Sequence, residues 1–247
     1  MQLTDKYAPK QISDFAGLET PKAIFENFVA EPYTSAWLLV GPTGIGKTSM
    51  GLAVQNAIGG TLYHIPSRQC DLATVEELLH KCQYKPWHGR FNTVLVDECD
   101  QATKAAQLAF LSILDATSMP EDTVFIFTAN STDKLEDRFM NRCRVVEFTN
   151  VEIDFREMLE YIWSQEAMGR PAPDYDRIIA RSKGSVRGAL MELETALLTS
   201  KPKAKPTRTE TRWLNAAGES LGWEVIEQRI ANGDFTGIRF EEVEVYA

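Results

Sequence analysis

The sequence predicts an α/β protein in which a parallel five-stranded sheet carries helices on both faces and is followed by a small all-helical domain. Short, continuously apolar segments alternate with helical patterns as far as residue 148. After residue 150 the pattern is helical only. Alternation of apolar strands with helices is typical of a parallel sheet that is covered on both sides.

The order of these patterns places each element. Strands are expected at residues 37–40, 61–65, 93–96, 124–128 and 145–148, and helices at residues 47–57, 74–81, 104–114 and about 135–140. In the second domain, apolar side chains recur at helical spacing, for example at Leu190, Leu193 and Leu197.

Four regions follow from these patterns. We expect a core at residues 1–150, a helical lid at residues 151–200, a basic linker at residues 201–212 and a short C-terminal segment at residues 213–247. The predicted linker, KPKAKPTRTETR, is rich in basic residues and holds two prolines. The C-terminal segment is too short to form an independent core.

Composition narrows the class of protein. With 247 residues, of which 44% are hydrophobic and 25% charged, the chain is typical of a folded, soluble protein. No apolar run is long enough to cross a bilayer and no signal-peptide pattern opens the sequence, so we expect a cytoplasmic protein without a membrane partner. A formal net charge of −9 argues against a protein that coats nucleic acid by itself, but leaves open DNA contact from one basic face of an assembly.

A phosphate-binding motif follows the first predicted strand. It matches the pattern G-x-x-x-x-G-K-[ST] and consists of Gly41, Pro42, Thr43, Gly44, Ile45, Gly46, Lys47 and Thr48. Glycines let backbone N–H groups approach phosphates closely, and the start of the next helix favours an anion. Lys47 would bind the β- and γ-phosphates and Thr48 a magnesium ion, so the motif predicts a P-loop for ATP and Mg²⁺. The alternative, a glycine-rich turn before a helix, is disfavoured by the apolar strand that precedes it.

Two carboxylates end the third predicted strand. Asp97 would hold magnesium, and Glu98 would act as the general base that activates the attacking water. Acidic residues that cap a helix are the alternative interpretation. Both carboxylates follow a buried strand and therefore lie at the carboxyl edge of the sheet, where such folds bind ligands.

Further polar residues follow the later strands. Asn130 ends the fourth strand and would lie beside the γ-phosphate, although a turn-forming asparagine is an equal alternative. An arginine just before the last strand could reach the ATP of a neighbouring subunit and neutralise charge on the transferred phosphate. On physical grounds Arg138, Arg142 and Arg144 are all candidates for this role.

In order and approximate spacing, these motifs resemble those of AAA+ clamp-loader ATPases, in particular small subunits of replication factor C of a compact, phage-like type. The segment DKYAPK, with Asp14 and Gly17 after it, is similar to the N-terminal box that packs over adenine in that family. The resemblance therefore implies that Tyr7 and Pro9 bind the nucleotide, although Ala8 replaces the usual arginine.

The same resemblance assigns two arginines. The segment NRC resembles the family's S-R-C motif and implies that Arg142 is the finger that acts on a neighbour's ATP. The segment GSVRGAL resembles the sensor-2 helix of the lid and implies that Arg187 contacts the γ-phosphate. Together with Glu98 and Asn130, these arginines are the expected catalytic residues.

The resemblance implies an ATP-driven subunit that acts with other AAA+ subunits, a sliding clamp and primer–template DNA. DNA would be contacted through its backbone, with Lys104 the candidate by position against a merely solvated lysine. Clamp-loader subunits carry an all-helical collar, which we expect to be truncated or absent here. That departure favours an alternative, another AAA+ remodeller such as a helicase loader, transposition regulator or phage-associated ATPase. A third class, a regulatory nucleotide-binding protein that does not turn over, would be favoured if Glu98 or Arg142 were missing, but both are present.

Overall fold

The computed structural model of this chain describes residues 2–66, 70–86, 88–115, 118–149, 153–200, 208–232, 236 and 238–245. The described residues belong to two compact units. One lies within Met1–Glu166 and Ala172–Thr199, and the other within Ala167–Pro171 and Ser200–Ala247. The first unit contains the predicted core and the predicted lid, except for residues 167–171 and 200 of that lid.

A five-stranded parallel sheet is the centre of the first unit. Its strands are β1 (Ser35–Val40), β2 (Thr61–Ile65), β3 (Asn92–Val96), β4 (Thr123–Ala129) and β5 (Arg144–Glu147), in the spatial order β2-β3-β4-β1-β5. Every residue of β3 and β4 is buried, which explains why both read as continuous apolar runs. The predicted parallel sheet of five strands is confirmed.

Helices cover both faces of this sheet, as predicted. They are α1 (Leu3–Lys6), α2 (Glu19–Ala30), α3 (Lys47–Ile58), α4 (Leu72–Cys82), α5 (Lys104–Ile113) and α6 (Asp137–Met140). On one face Gly51 of α3 approaches Leu95 and Ile126. On the other face, Val75 of α4 and Phe110 of α5 belong to one buried cluster. The β3 and β4 residues of that cluster alternate along their strands with Leu95 and Ile126.

Neither α1 nor α2 was predicted from the sequence. Helix α2 has Pro21 in its first turn and buries Pro21, Phe25 and Phe28, so its pattern carried the usual signals of an amphipathic helix. Helix α1 has only four residues, which is too short for periodicity to be recognised.

Three helices make up the described part of the predicted lid. They are α7 (Phe155–Glu166), α8 (Tyr175–Ser182) and α9 (Val186–Thr199), and residues 150–152 at the predicted boundary lie outside the described residues. They pack on one another through buried side chains such as Leu159, Ile178 and Leu193. In the described part of the chain, no helix is both long and apolar enough to span a bilayer.

The second unit is built from β6 (Arg208–Leu214), α10 (Trp223–Ala231) and β7 (Arg239–Val245), with the two strands antiparallel. The predicted linker is therefore wrong at its carboxyl end, because its last five residues belong to β6. Thr209, Thr211 and Trp213, at every second position of the sequence of that strand, are residue types that favour β structure. Arg212 lies opposite Glu241 of β7. Residues 201–207 of the predicted linker lie outside the described residues.

Candidate nucleotide-binding site

A cleft of about 1250 Å³ opens at the carboxyl edge of the sheet, within the first unit. The loop after β1, the N-terminal segment and helices α7 and α9 form its walls. Among the residues predicted from the sequence, those that line the cleft are Tyr7, Pro9, Thr43, Gly44, Ile45, Gly46, Lys47, Thr48, Glu98, Asn130 and Arg187. Gly41, Pro42 and Asp97 contact members of this set, whereas Arg142 does not line the cleft.

Glycines shape the loop between β1 and α3. Gly44 and Gly46 have φ angles of 77° and 106°, a region that side chains with a Cβ rarely adopt. A Cβ on Gly41 would lie 2.2 Å from the carbonyl oxygen of Phe148, which follows β5. The loop thus turns tightly and presents its backbone at the start of α3, an arrangement that suits phosphate groups.

Lys47 lies at the bottom of the cleft and is only 7% exposed. Its Nζ donates hydrogen bonds to the carbonyl oxygens of Gly41 at 2.7 Å and Pro42 at 2.9 Å, and to Asn130 Oδ1 at 3.1 Å. Burial lowers the pKa of this ammonium group, while the negative charges of Asp100 and Glu98 oppose that shift. The group is thereby positioned to exchange carbonyl acceptors for phosphate oxygens.

Asp97 joins β3 to the start of α3. Its Oδ1 accepts a hydrogen bond from Thr48 Oγ1 at 2.7 Å and from Thr128 Oγ1 at 3.3 Å, and its Oδ2 lies 2.5 Å from His64 Nε2. A hydroxyl and a carboxylate oxygen in contact are the hard ligands that Mg²⁺ prefers, so Thr48 and Asp97 fit a magnesium ion.

Glu98 projects from an unusual backbone position. Its φ of 48° and ψ of 50° are left-handed, and its backbone N–H donates to Thr128 Oγ1 at 2.9 Å. Backbone strain of this kind is costly and concentrates at functional sites. Here it turns the exposed Glu98 side chain into the cleft, where a carboxylate can accept a proton from water.

Helix α9 brings the lid to the P-loop. The backbone N–H of Arg187 donates to the carbonyl oxygen of Gly44 at 3.1 Å, and a Cβ on Gly44 would lie 2.2 Å from Ser185 Oγ. The exposed Arg187 side chain lines the same cleft as Lys47 and Asn130. Two cationic side chains from different helices thus face one space, which favours a polyanionic ligand.

The N-terminal segment forms a further wall of the cleft, next to the lid helices. Tyr7 Oη donates a hydrogen bond to Glu166 Oε1 at 2.6 Å, and Lys6 Nζ lies 2.6 Å from the same oxygen. Burial, together with the hydrogen bond and negative charge of Glu166, raises the pKa of Tyr7 to about 12. The Tyr7 hydroxyl is therefore bound to α7, and the rings of Tyr7 and Pro9 remain as apolar surface of the cleft.

Arg142 lies at the other edge of the sheet. In the parallel pairing of β1 and β5, Glu147 is opposite Val40, just before the P-loop, and Arg144 is opposite Trp37. Arg142 precedes the amino end of β5, and the four residues of that strand span about 13 Å at about 3.3 Å per residue. Arg142 Nε donates to Asp115 Oδ1 at 2.7 Å.

The other basic residues considered for the arginine finger or for DNA contact have different surroundings. Arg138 pairs with Glu136 at 3.1 Å, and the Arg144 guanidinium lies over the rings of Tyr33 and Trp37 at 5.1 and 5.6 Å. Lys104, the candidate for DNA contact, begins α5 with its side chain 82% exposed and 3.7 Å from Glu136.

Three residues of this site were missed by the sequence analysis. His64 and Thr128 contact Asp97, and buried Asp100 accepts the backbone N–H of Asn130 at 3.4 Å. His64 and Thr128 are polar residues near the carboxyl ends of strands, which was an available signal. Their partner, however, is set by which strands are neighbours in the sheet.

Comparison with known proteins gives a consistent result. Residues 37–151 match the model of the ATPase family associated with various cellular activities (AAA). Replication factor C small subunit 1 of Pyrobaculum islandicum is 28% identical over 206 residues, which cover 80% of this chain and 62% of that protein. The replication factor C small subunit of Methanothermobacter thermautotrophicus is 26% identical over 200 residues, with 78% and 62% covered. The chain thus spans about 62% of the length of these two relatives.

A solved structure has the same fold. The Thermotoga maritima RuvB Holliday junction branch migration motor gives a TM-score of 0.63 at 18% identity, covering 76% of this chain and 64% of that one. Fold, motifs and relatives therefore agree. Residues 37–151 match the AAA family model, and the predicted resemblance of this chain to the small subunits of replication factor C is confirmed.

Proposed function

We propose that this chain is an ATP-hydrolysing subunit of a clamp-loader-like assembly, which opens a sliding clamp and places it on primer–template DNA in the cytoplasm. One observation carries the proposal: the groups that suit ATP binding converge in one cleft, while Arg142 lies at the opposite edge of the sheet. A site divided in this way is completed by a neighbouring subunit.

Each residue of the cleft has a distinct task in this proposal. Residues 41–48 enclose the phosphates with backbone N–H groups, and Lys47 binds the β- and γ-phosphates. Thr48 and Asp97 would hold Mg²⁺, which supplies positive charge to the phosphates. Glu98 takes the proton of the attacking water, and Asn130 helps to position that water.

Two arginines stabilise charge on the transferred phosphate. Arg187 does so from α9 of the same chain, since its backbone is hydrogen-bonded to the P-loop. Arg142 does so on the ATP of the next subunit, in exchange for its contact with Asp115. Hydrolysis, once these groups are aligned, would release the clamp and the DNA.

The remaining partners follow from charge. A net charge of −9 requires that DNA contacts come from a small basic part of the assembly, and the exposed Lys104 at the start of α5 is one candidate. Contacts of this kind bind the DNA backbone and its shape rather than its sequence.

A second candidate function is that of another AAA+ remodeller, such as a helicase loader, a transposition regulator or a phage-associated ATPase. The C-terminal unit favours it, because in its described residues that unit pairs two strands with a helix instead of forming an all-helical collar.

The proposal is tested by measuring the ATPase rate with primed DNA and the cognate sliding clamp, added separately and together. We expect the rate to rise most when both are present, because only the combined substrate aligns Arg142 with a neighbour's ATP. A rate that rises with primed DNA but does not respond to the clamp would favour the second candidate. A rate that responds to neither addition would contradict the clamp-loader proposal.

A further inference from the structure

We propose that His64 is a positioning residue that orients the Asp97 carboxylate for the magnesium ion of the bound nucleotide. The inference rests on the proposed function only in that Asp97 must face that ion. It concerns a residue that belongs to neither the P-loop nor the acidic pair, and that comes from a different strand.

The sheet itself brings the two side chains together. In the parallel pairing of β2 with β3, His64 lies opposite Leu95 and Ile65 opposite Val96. Residues two apart in a strand share a face, so His64, Leu95 and Asp97 all point toward α3, the helix that carries Thr48. The backbone N–H of Asp97 donates to the carbonyl oxygen of Ile65 at 3.0 Å and continues the pairing past the end of the strand.

Both oxygens of Asp97 are held, each by a different kind of donor. Hydroxyls of Thr48 and Thr128 donate to Oδ1 at 2.7 and 3.3 Å, and His64 Nε2 lies 2.5 Å from Oδ2. An ionised carboxylate can only accept hydrogen bonds, so His64 Nε2 carries the proton in this contact. Rotation of the carboxylate would break the contact on Oδ2, which fixes the plane of the group.

Of the three side chains that donate hydrogen bonds to Asp97, His64 is the one without another assigned task. Thr48 would itself be a magnesium ligand, and Thr128 Oγ1 also accepts the backbone N–H of Glu98. Hydrogen-bonding partners of metal-binding carboxylates orient them, and their loss costs about 10–100-fold in metal affinity or activity. The His64 side chain is 38% exposed, so water can replace part of the contact and an effect near the lower end is expected.

The test separates magnesium binding from nucleotide binding and from activity. Affinity for a non-hydrolysable ATP analogue is measured by calorimetry without Mg²⁺ and over a range of Mg²⁺ concentrations, in the wild type, His64→Leu and His64→Gln. Glutamine keeps an N–H donor at similar reach, whereas leucine keeps only volume. His80→Leu is the matched control, because His80 is an exposed histidine of α4 that contacts Tyr84 and does not line the cleft.

We expect His64→Leu to need about 10-fold more Mg²⁺ for the same tightening of binding. His64→Gln should recover most of this loss, His80→Leu should match the wild type, and affinity without Mg²⁺ and the Tm should stay unchanged throughout. Wild-type Mg²⁺ dependence in His64→Leu would overturn the inference. So would an equal loss in His64→Gln, or a loss of affinity without Mg²⁺. A wild type whose affinity ignores Mg²⁺ would overturn the proposed function as well.

Discussion

At the scale of single residues, charge is concentrated around Lys47. A buried ammonium group is costly unless acceptors surround it, and here two P-loop carbonyls and Asn130 provide them. The nearby carboxylates of Asp100 and Glu98 oppose the effect of burial on the pKa of Lys47. Glu98 therefore contributes to the electrostatic field in the cleft in addition to its proposed role as a base, and a neutral isostere removes both its charge and its basicity.

The substitution Glu98→Gln tests the role as a base. It preserves shape and keeps ATP bound, but an amide cannot take a proton from water, so hydrolysis should slow by about 10²-fold or more. The measurements are steady-state ATPase rate and calorimetric ATP affinity. Glu26→Gln, at an exposed position of α2, is the matched control and should hydrolyse ATP at the wild-type rate. Near-normal turnover in Glu98→Gln would remove this residue from its proposed role.

The sequence alone predicts those candidate residues that belong to a contiguous motif or end a recognisable strand. Lys47 and Thr48 belong to one contiguous motif, and Asp97 ends an apolar strand. His64, Thr128 and Asp100 were missed because their partners lie about 30 residues away in sequence and are brought close by strand order. Hydrogen bonds between strands follow from sheet pairing, which a local pattern does not contain.

At the scale of elements, the contact of α9 with the P-loop links lid and core. Gly44 lies between them with a φ of 77°, its carbonyl oxygen bound to the N–H of Arg187 and its Cα facing Ser185. A side chain at this position would meet Ser185 Oγ at 2.2 Å. An added side chain would displace the Ser185 hydroxyl and crowd Arg187 Cβ at 3.2 Å, so the fit between the P-loop and the lid favours glycine at this position.

The substitution Gly44→Ala tests this contact. Left-handed backbone in alanine costs about 1–3 kcal/mol at any position, so the unfolding free energy should fall for that reason alone. Gly169→Ala is the control, because Gly169 has a φ of 79° but no atom within 4 Å of an added Cβ. We expect Gly44→Ala to lose more stability than Gly169→Ala in denaturant unfolding, and to lose ATP affinity in calorimetry as well. Equal losses of stability with wild-type ATP binding would contradict the contact.

Elements with strong local signals were predicted from the sequence. All five strands lie within two residues of their expected bounds, because buried parallel strands are short apolar runs between polar turns. Helix α2 was missed although it buries Phe25 and Phe28 at helical spacing. Strands β6 and β7 were also missed, since the stability of β6 depends on cross-strand partners in β7 that lie 25 or more residues later.

At the scale of the whole molecule, the position of Arg142 has the largest consequence. The arginine and the P-loop of one chain lie at opposite edges of one rigid sheet, so a single subunit cannot bring them together. In the proposed function a neighbouring copy supplies this arginine, so that ATP from one subunit and Arg142 from the next form one catalytic site.

Mixing two inactive variants tests this claim most directly. Arg142→Ala should bind ATP but lose about 10³-fold in hydrolysis when assembled, and Lys47→Ala should fail to bind ATP while keeping its arginine. Arg138→Ala is the control, because Arg138 is exposed and paired with Glu136, and it should remain active alone.

The measurement is the ATPase rate of Arg142→Ala mixed with Lys47→Ala, compared with each variant alone at the same total concentration. We expect the mixture to regain activity, because a Lys47→Ala subunit lends its intact Arg142 to a neighbour that holds ATP. A mixture that stays inactive, while the wild type demonstrably self-associates, would contradict the shared site. Full wild-type activity in a dilute monomer would contradict it equally.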